Sequence, residues 1–140
     1  MTPLHWSEAV CGAQPDVRHI GPLTRTDFVR YQGASGDMNP IHHDEPFAVA
    51  AGFEGPLGIG MFPAGALANL AADWIGPDRV RRTKVRWRAP VWAGDMLTLS
   101  GEIVSRDDVG KTVDVELVCK NQDEVVTCQV WMTFAFGDVA

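Results

Sequence analysis

The sequence predicts an α+β fold in which a curved antiparallel β-sheet wraps around one long central α-helix, and three observations predict it. In the C-terminal part, apolar residues recur with period two in four runs, as they do in strands with a single apolar face. Turn signals of hairpin length separate the runs, which makes the sheet largely antiparallel. Ahead of them stands one stretch of small and apolar residues, beginning near Gly60 and ending at Gly76-Pro77, that is the only helix candidate of suitable length to cover such a face. At ~1.5 Å per residue its roughly 14 residues span about 20 Å, which matches strands of about six residues.

The elements follow in chain order. Residues 17–23 form a short strand candidate. Thr24, with Asp27 three positions later, fits a helix N-cap with an acidic third position, and a helix over about 25–34 follows. Phe28, Tyr31 and Gln32 lie along one face of it, and Gly33, Gly36 and Pro40 make continuation past Ser35 unfavourable. A short helical segment over 45–51 comes next. In the long stretch Ala64, Gly65, Ala66, Ala68, Ala71 and Ala72 are small, while Met61, Leu67, Leu70 and Trp74 supply bulk. A helix so composed can be approached closely by other backbone, and a central, buried position is expected. The four strand faces are Val85, Trp87, Ala89 and Val91; then Leu97, Leu99, Gly101 and Ile103; then Val113, Val115, Leu117 and Cys119; then Cys128, Val130, Met132, Phe134 and Phe136. Between them stand Ala93-Gly94-Asp95, Asp107-Asp108-Val109-Gly110 and Asn121-Gln122-Asp123.

The composition bounds the function. With 140 residues, 46% of them hydrophobic and 21% charged, the chain has the size of one domain over 1–140 and can bury a core without staples. A formal net charge of −6 works against a nucleic-acid or anionic-membrane partner, whose phosphates repel such a surface. Cys11, Cys119 and Cys128 are odd in number and lack metal-ligand spacing, so all three read as reduced and structural. Met1 to Val10 shows no basic region followed by an apolar core, and the most apolar stretch is broken by Gly60, Pro63 and Gly65, so a cytoplasmic location is expected.

One segment carries chemistry. Tyr31-Gln32-Gly33-Ala34-Ser35-Gly36-Asp37-Met38-Asn39-Pro40-Ile41-His42-His43-Asp44 resembles the hydratase motif of the MaoC-like (R)-specific enoyl-CoA hydratases and (3R)-hydroxyacyl thioester dehydratases. Phe47-Ala48, Gly60-Met61 and the stretch from Pro90 to Leu97 resemble their counterparts too, so the likeness covers roughly residues 24–136. It implies the hotdog fold, a sheet around a helix. It implies that Asp37 and His42 hold the catalytic water and that the Gly60 N–H receives the thioester carbonyl oxygen. It also implies no cofactor and no metal.

The physical case agrees with these roles. Adding water to a conjugated thioester needs a base for the water, a proton for the α carbon and a donor for an enolate-like oxygen. An Asp beside an imidazole serves the first two through one water, and the N-terminus of a buried helix offers unpaired N–H groups and a favourable dipole. Taken alone, Gly-Asp and Asn-Pro pairs build turns, and Asp37 by itself reads as a capping residue. Adjacent His43 is expected to point away from His42, as a solvated or structural residue. Asn39, Ile59 and Met61 are the expected substrate contacts beside the pair. Many family members carry a His where Ile59 stands, and some carry a polar residue at the position of Ala68. The first departure puts the pocket wall in question and leaves room for a second, non-identical subunit.

The run from Arg79 to Arg88 holds six of the chain's twelve Lys and Arg residues. On a strand, Arg82, Lys84, Arg86 and Arg88 share one face, and Arg86 and Arg88 are the expected contacts for the phosphates of coenzyme A or of a carrier-protein arm. A solvated sheet face or a subunit contact is the competing reading. The expected partners are thus an acyl-CoA or acyl carrier protein thioester and a second copy of the chain, or a second hotdog chain in a heterodimer. A hydratase or dehydratase is the leading function. A subunit of a hetero-oligomeric dehydratase and an acyl-CoA thioesterase are the alternatives.

Overall fold

Period-two patterning becomes hairpins in the computed structural model, which describes residues 3–137. The strands are β1 (Arg18–Ile20), β2 (Val80–Trp87), β3 (Leu97–Asp107), β4 (Thr112–Lys120) and β5 (Val126–Ala135). They form one sheet in the order β1-β3-β4-β5-β2, and every paired neighbour is antiparallel. Register places Leu99 opposite Cys119, Leu117 opposite Val130 and Val115 opposite Met132, so apolar side chains meet across the strands on one face.

Among the described residues three α-helices precede β2: α1 (Arg25–Ser35), α2 (Glu45–Ala50) and α3 (Met61–Ile75). The Thr24 cap forms as a full capping box with Asp27, and α1 ends where Gly36, at φ 77°, adopts a left-handed conformation that costs glycine little. Ala64, Leu67, Leu70, Ala71 and Ile75 of α3 are buried against Leu97, Leu99, Val115, Leu117, Val130 and Phe134 of the sheet. The small residues let helix backbone sit close to the strands, as a curved sheet around a helix requires.

Several boundaries differ from the sequence reading. The first strand is three residues long rather than seven. The strand expected to carry Val85, Trp87, Ala89 and Val91 on one apolar face is displaced: β2 begins at Val80 and ends at Trp87, and Trp87 is 52% exposed. Arg88 therefore lies just past the strand. Hydropathy could not locate this end, because the basic run and the apolar run overlap in sequence. The long helix is buried along one side only; Met61, Asn69 and Asp73 of α3 face outward.

An N-terminal arm without periodic signal completes the core. Gly12 donates to the Ile103 carbonyl at 2.8 Å, and Ile103 donates back to Ala13 at 3.0 Å. Arg106 donates to the Trp6 and Ala9 carbonyls and lies 3.8 Å over the Trp6 ring. Ala9 is fully buried as a result.

Candidate active site

The motif loop begins at the α1 C-cap and is built from short-range turns. Asp37 Oδ1 accepts the Asn39 N–H at 3.3 Å, and Asn39 Oδ1 accepts the Ile41 N–H at 3.1 Å. Pro40 then starts a single 3₁₀ turn, Pro40–His42. Asp44 Oδ1 caps α2 by accepting the Phe47 N–H at 2.9 Å. This run of Asx and proline chemistry makes a rigid loop from local sequence alone.

Long-range contacts orient it. Gln32, 1% exposed on α1, donates its amide to the carbonyls of Asp37 at 2.8 Å and Asn39 at 3.1 Å. Its oxygen accepts from His43 Nδ1 at 3.0 Å. His42 turns the other way, into the interior, and its Nδ1 lies 2.8 Å from the Leu57 carbonyl. A carbonyl only accepts, so Nδ1 carries the hydrogen and Nε2 of the neutral ring carries the lone pair. That Nε2 stands 3.7 Å from Asp37 Oδ2. The His42 side chain is 10% exposed and that of Asp37 45%. The separation is too long for a direct hydrogen bond and short enough for one water to bridge both atoms.

His42 and Gly60 line the same cleft, of about 340 Å3, together with Phe53, Leu57, Ile59 and Trp87. Gly60 is the N-cap of α3 and makes no side-chain cap bond, and among the described residues its N–H meets no acceptor. The unpaired Gly60 N–H and the positive end of the α3 dipole therefore belong to a residue that lines the cleft. His42 and Gly60 thus share one mainly apolar opening, and Asp37 stands behind it at 3.7 Å from His42. A larger depression of about 580 Å3, between the β1–α1 loop and Phe62, contains none of the expected catalytic or substrate-contacting residues.

Of those residues, His42, Gly60, Ile59 and Arg88 line the cleft, and Asp37 joins through its contact with His42. Asn39, Met61 and Arg86 do not line it. Asn39 is spent on the loop's own turn, and Met61 is 48% exposed. Arg88 Nε donates to Gln129 at 2.8 Å, and Arg86 sits opposite Gln129 across the β2–β5 ladder. The sequence reading did not foresee the Leu57 carbonyl, the amide of Gln32 as loop anchor, or Trp87, whose indole N–H donates to the Gly60 carbonyl at 2.7 Å. A signal existed for Gln32, a polar residue on the same helix face as Phe28; a backbone carbonyl leaves none. Among the described residues no group of three or more His, Cys, Asp and Glu side chains is placed to hold a metal ion.

Residues 3–125 match the family model of the MaoC like domain. The chain is 30% identical over 106 residues to the 3-hydroxybutyryl-CoA dehydratase of Methylorubrum extorquens, covering 74% of this chain and 68% of that protein. It is 27% identical over 106 residues to the (R)-specific enoyl-CoA hydratase of Rhodospirillum rubrum, covering 74% of each. Two other matching relatives are far longer, and the chain spans 5% and 9% of their length. A chain from the crystal structure of the ChsH1-ChsH2 complex of Mycobacterium tuberculosis superposes with a TM-score of 0.80 at 24% identity, covering 90% of this chain and 97% of that one. The fold is the hotdog fold expected from the motif.

Proposed function

Because the chain belongs to the MaoC-like domain family of enoyl thioester hydratases and dehydratases, we propose that it interconverts trans-2-enoyl and (3R)-3-hydroxyacyl thioesters by syn addition or removal of water. The observation that carries this reading is the 3.7 Å pairing of Asp37 Oδ2 with the lone-pair nitrogen of His42, in a loop beside the open N–H of Gly60.

A water between the two acceptors gives one hydrogen to each and turns a lone pair toward the substrate. Its oxygen bonds to the β carbon as the C=C π pair shifts toward the thioester carbonyl. The Gly60 N–H receives the negative oxygen, where a fixed dipole stabilises charge that solvent would otherwise have to reorganise around. The proton left on the Asp37–His42 pair then passes to the α carbon, and the carbonyl re-forms. Both additions come from one side, so the reaction is syn; elimination retraces the same steps. Ile59 supplies an apolar wall, and Asn39 and Met61 act at second hand, through the loop and the helix start. Arg88 and Arg86 meet the phosphates of the thioester carrier, coenzyme A or a carrier-protein arm.

Assembly is part of the proposal. β1 and β2 are the open edges of the sheet, and edges of this kind invite pairing. A homodimer is the expected form; a heterodimer with a second hotdog chain is the alternative, supported by a fold neighbour that comes from a two-protein complex. Sedimentation at micromolar concentration separates these from a monomer.

The test is incubation with a series of trans-2-enoyl-CoA substrates, following loss of the conjugated thioester absorbance. Asp37→Asn and His42→Ala each should lower kcat by about 10²–10⁴-fold in folded protein, the usual size of a lost general base. Near-normal turnover in either variant refutes the assigned chemistry.

A further inference from the structure

The wall of the cleft formed by the end of β2 holds an interaction that the proposed chemistry does not yet use. Trp87 is the last residue of β2, and its indole Nε1 donates to the Gly60 carbonyl at 2.7 Å. A Cβ on residue 60 would stand 2.8 Å from that nitrogen and 3.1 Å from Cδ1, so the ring lies directly on bare backbone at the start of α3. Only glycine permits the contact.

The other side of this short segment is tied as well. Gly58 donates to the Val91 carbonyl at 2.7 Å, Leu57 bridges to Trp92, and Ile59 is 2% exposed. Helices usually settle their first turn with a side-chain cap, and α3 has none. Gly60 instead hangs between an anchor before it and the Trp87 bond after it. Rotation at Gly60, the most permissive kind of residue, is thereby restrained by a residue 27 positions away. Its N–H is the group that meets the thioester oxygen in the functional reading above, on which this inference rests.

We propose that Trp87 is a positioning residue for the hydration step: by holding the peptide that follows Gly60 it restrains the glycine's φ and ψ, so that the Gly60 N–H in the preceding peptide stays aimed at the oxygen that becomes negative. An aimed donor matters most when charge has developed, so its loss appears in kcat. A side chain that only walled the substrate would instead change KM on removal. One neutral hydrogen bond is worth about 0.5–1.5 kcal/mol net, which corresponds to about a 2- to 12-fold change in rate.

The experiment is steady-state kinetics of Trp87→Phe, which keeps an aromatic ring and removes the N–H, against wild type with the best enoyl-CoA of the series. The expected result is a kcat lower by about five- to tenfold with KM within about twofold, in a protein that melts cooperatively. Unchanged kcat, or a rise in KM alone, overturns the proposal. Gly60→Ala tests the same bond from the other partner, because its Cβ displaces the indole; it should lower kcat without a matching change in KM. The double variant should lose no more than the worse single one, whereas losses that multiply would show that the two residues act independently and would overturn the coupling. Failure of wild type to hydrate any enoyl thioester would instead remove the functional reading itself, and is distinguished by coming before any variant is compared.

Discussion

Replacing Gln32 is the perturbation that most directly probes how the motif loop is held. Its side chain is 1% exposed and makes three hydrogen bonds, two to the carbonyls of Asp37 and Asn39 and one from His43 Nδ1. Gln32→Leu keeps most of the volume and removes all three. Each buried polar group left without a partner costs about 1–3 kcal/mol, but Asp37, Asn39 and His43 are exposed residues that water can partly serve, so the sum is taken near the low end, about 2–3 kcal/mol. For a domain of this size that is a fall in Tm of roughly 6–12 °C. The catalytic effect is separate. Releasing the Asp37 carbonyl lets its carboxylate drift from His42 Nε2, and a displacement of about 1 Å in a reacting group costs about 10²-fold in rate. Thermal melts and enoyl-CoA hydration kinetics measure the two effects on the same protein. Gln32→Glu sharpens the test: it keeps the shape and the acceptor for His43, yet turns a carboxylate oxygen toward two carbonyls. It should melt below Gln32→Leu at neutral pH, with the gap narrowing in acid as protonation restores one donor. A Leu variant with Tm within 2 °C of wild type and full kcat would refute the reasoning, because the loop would then hold its shape without Gln32.

Four further outcomes are expected. Cys11 is exposed while Cys119 and Cys128 are buried; burial is the main cause that raises both buried thiols, Cys128 from 9.0 to about 11. An aromatic disulfide reagent at pH 8 should therefore titrate one thiol in native protein and three in denaturant. A raised folded value means that this contribution to stability is fully present below pH 9.0 and is lost as pH rises toward 11, so alkaline melts should decline across that window. Asp27 is held below its ordinary 3.8, first by the Thr24 hydroxyl and then by the Thr24 N–H. Thr24→Val should thus lower Tm at pH 7, with the deficit shrinking once pH falls below 3.8 and through the depressed folded value; a deficit equal at pH 7 and pH 3 would argue against the capping box as its source. Finally, hydration of a trans-2-enoyl-CoA beside a dehydrogenase that oxidises only (3S)-alcohols should yield no NADH, and rapid NADH formation would overturn the (3R) assignment.

Much of the architecture was legible because its causes are local. Period two along β3, β4 and β5 survives into the burial pattern, since a residue that faces a helix must be apolar and its neighbours need not be. Thr24 with Asp27, Gly36, and Asn39 with Pro40 each act on backbone within a few positions of themselves, so the motif loop and the ends of α1 could be read directly. Asp37 and His42 are five residues apart on that loop, and their approach was expected through the motif's resemblance to the MaoC-like hydratases.

What the tertiary structure decided depends on pairings that no local pattern encodes. β2 stops at Trp87 because the chain leaves the ladder there, and a basic run merging into an apolar one hides that point. The tautomer of His42 is set by the carbonyl of Leu57, fifteen residues on, and backbone carbonyls look alike at every position of a sequence. Gly60 is held by an indole 27 residues away, and the N-terminal arm is gripped by Arg106 from about 100. The sequence by itself determined the motif loop and the glycine start of the central helix, which bring His42 and Gly60 to the cleft. Their aim is set by hydrogen bonds across long loops, which exist only once the sheet has closed around the helix and the intervening chain has already been ordered.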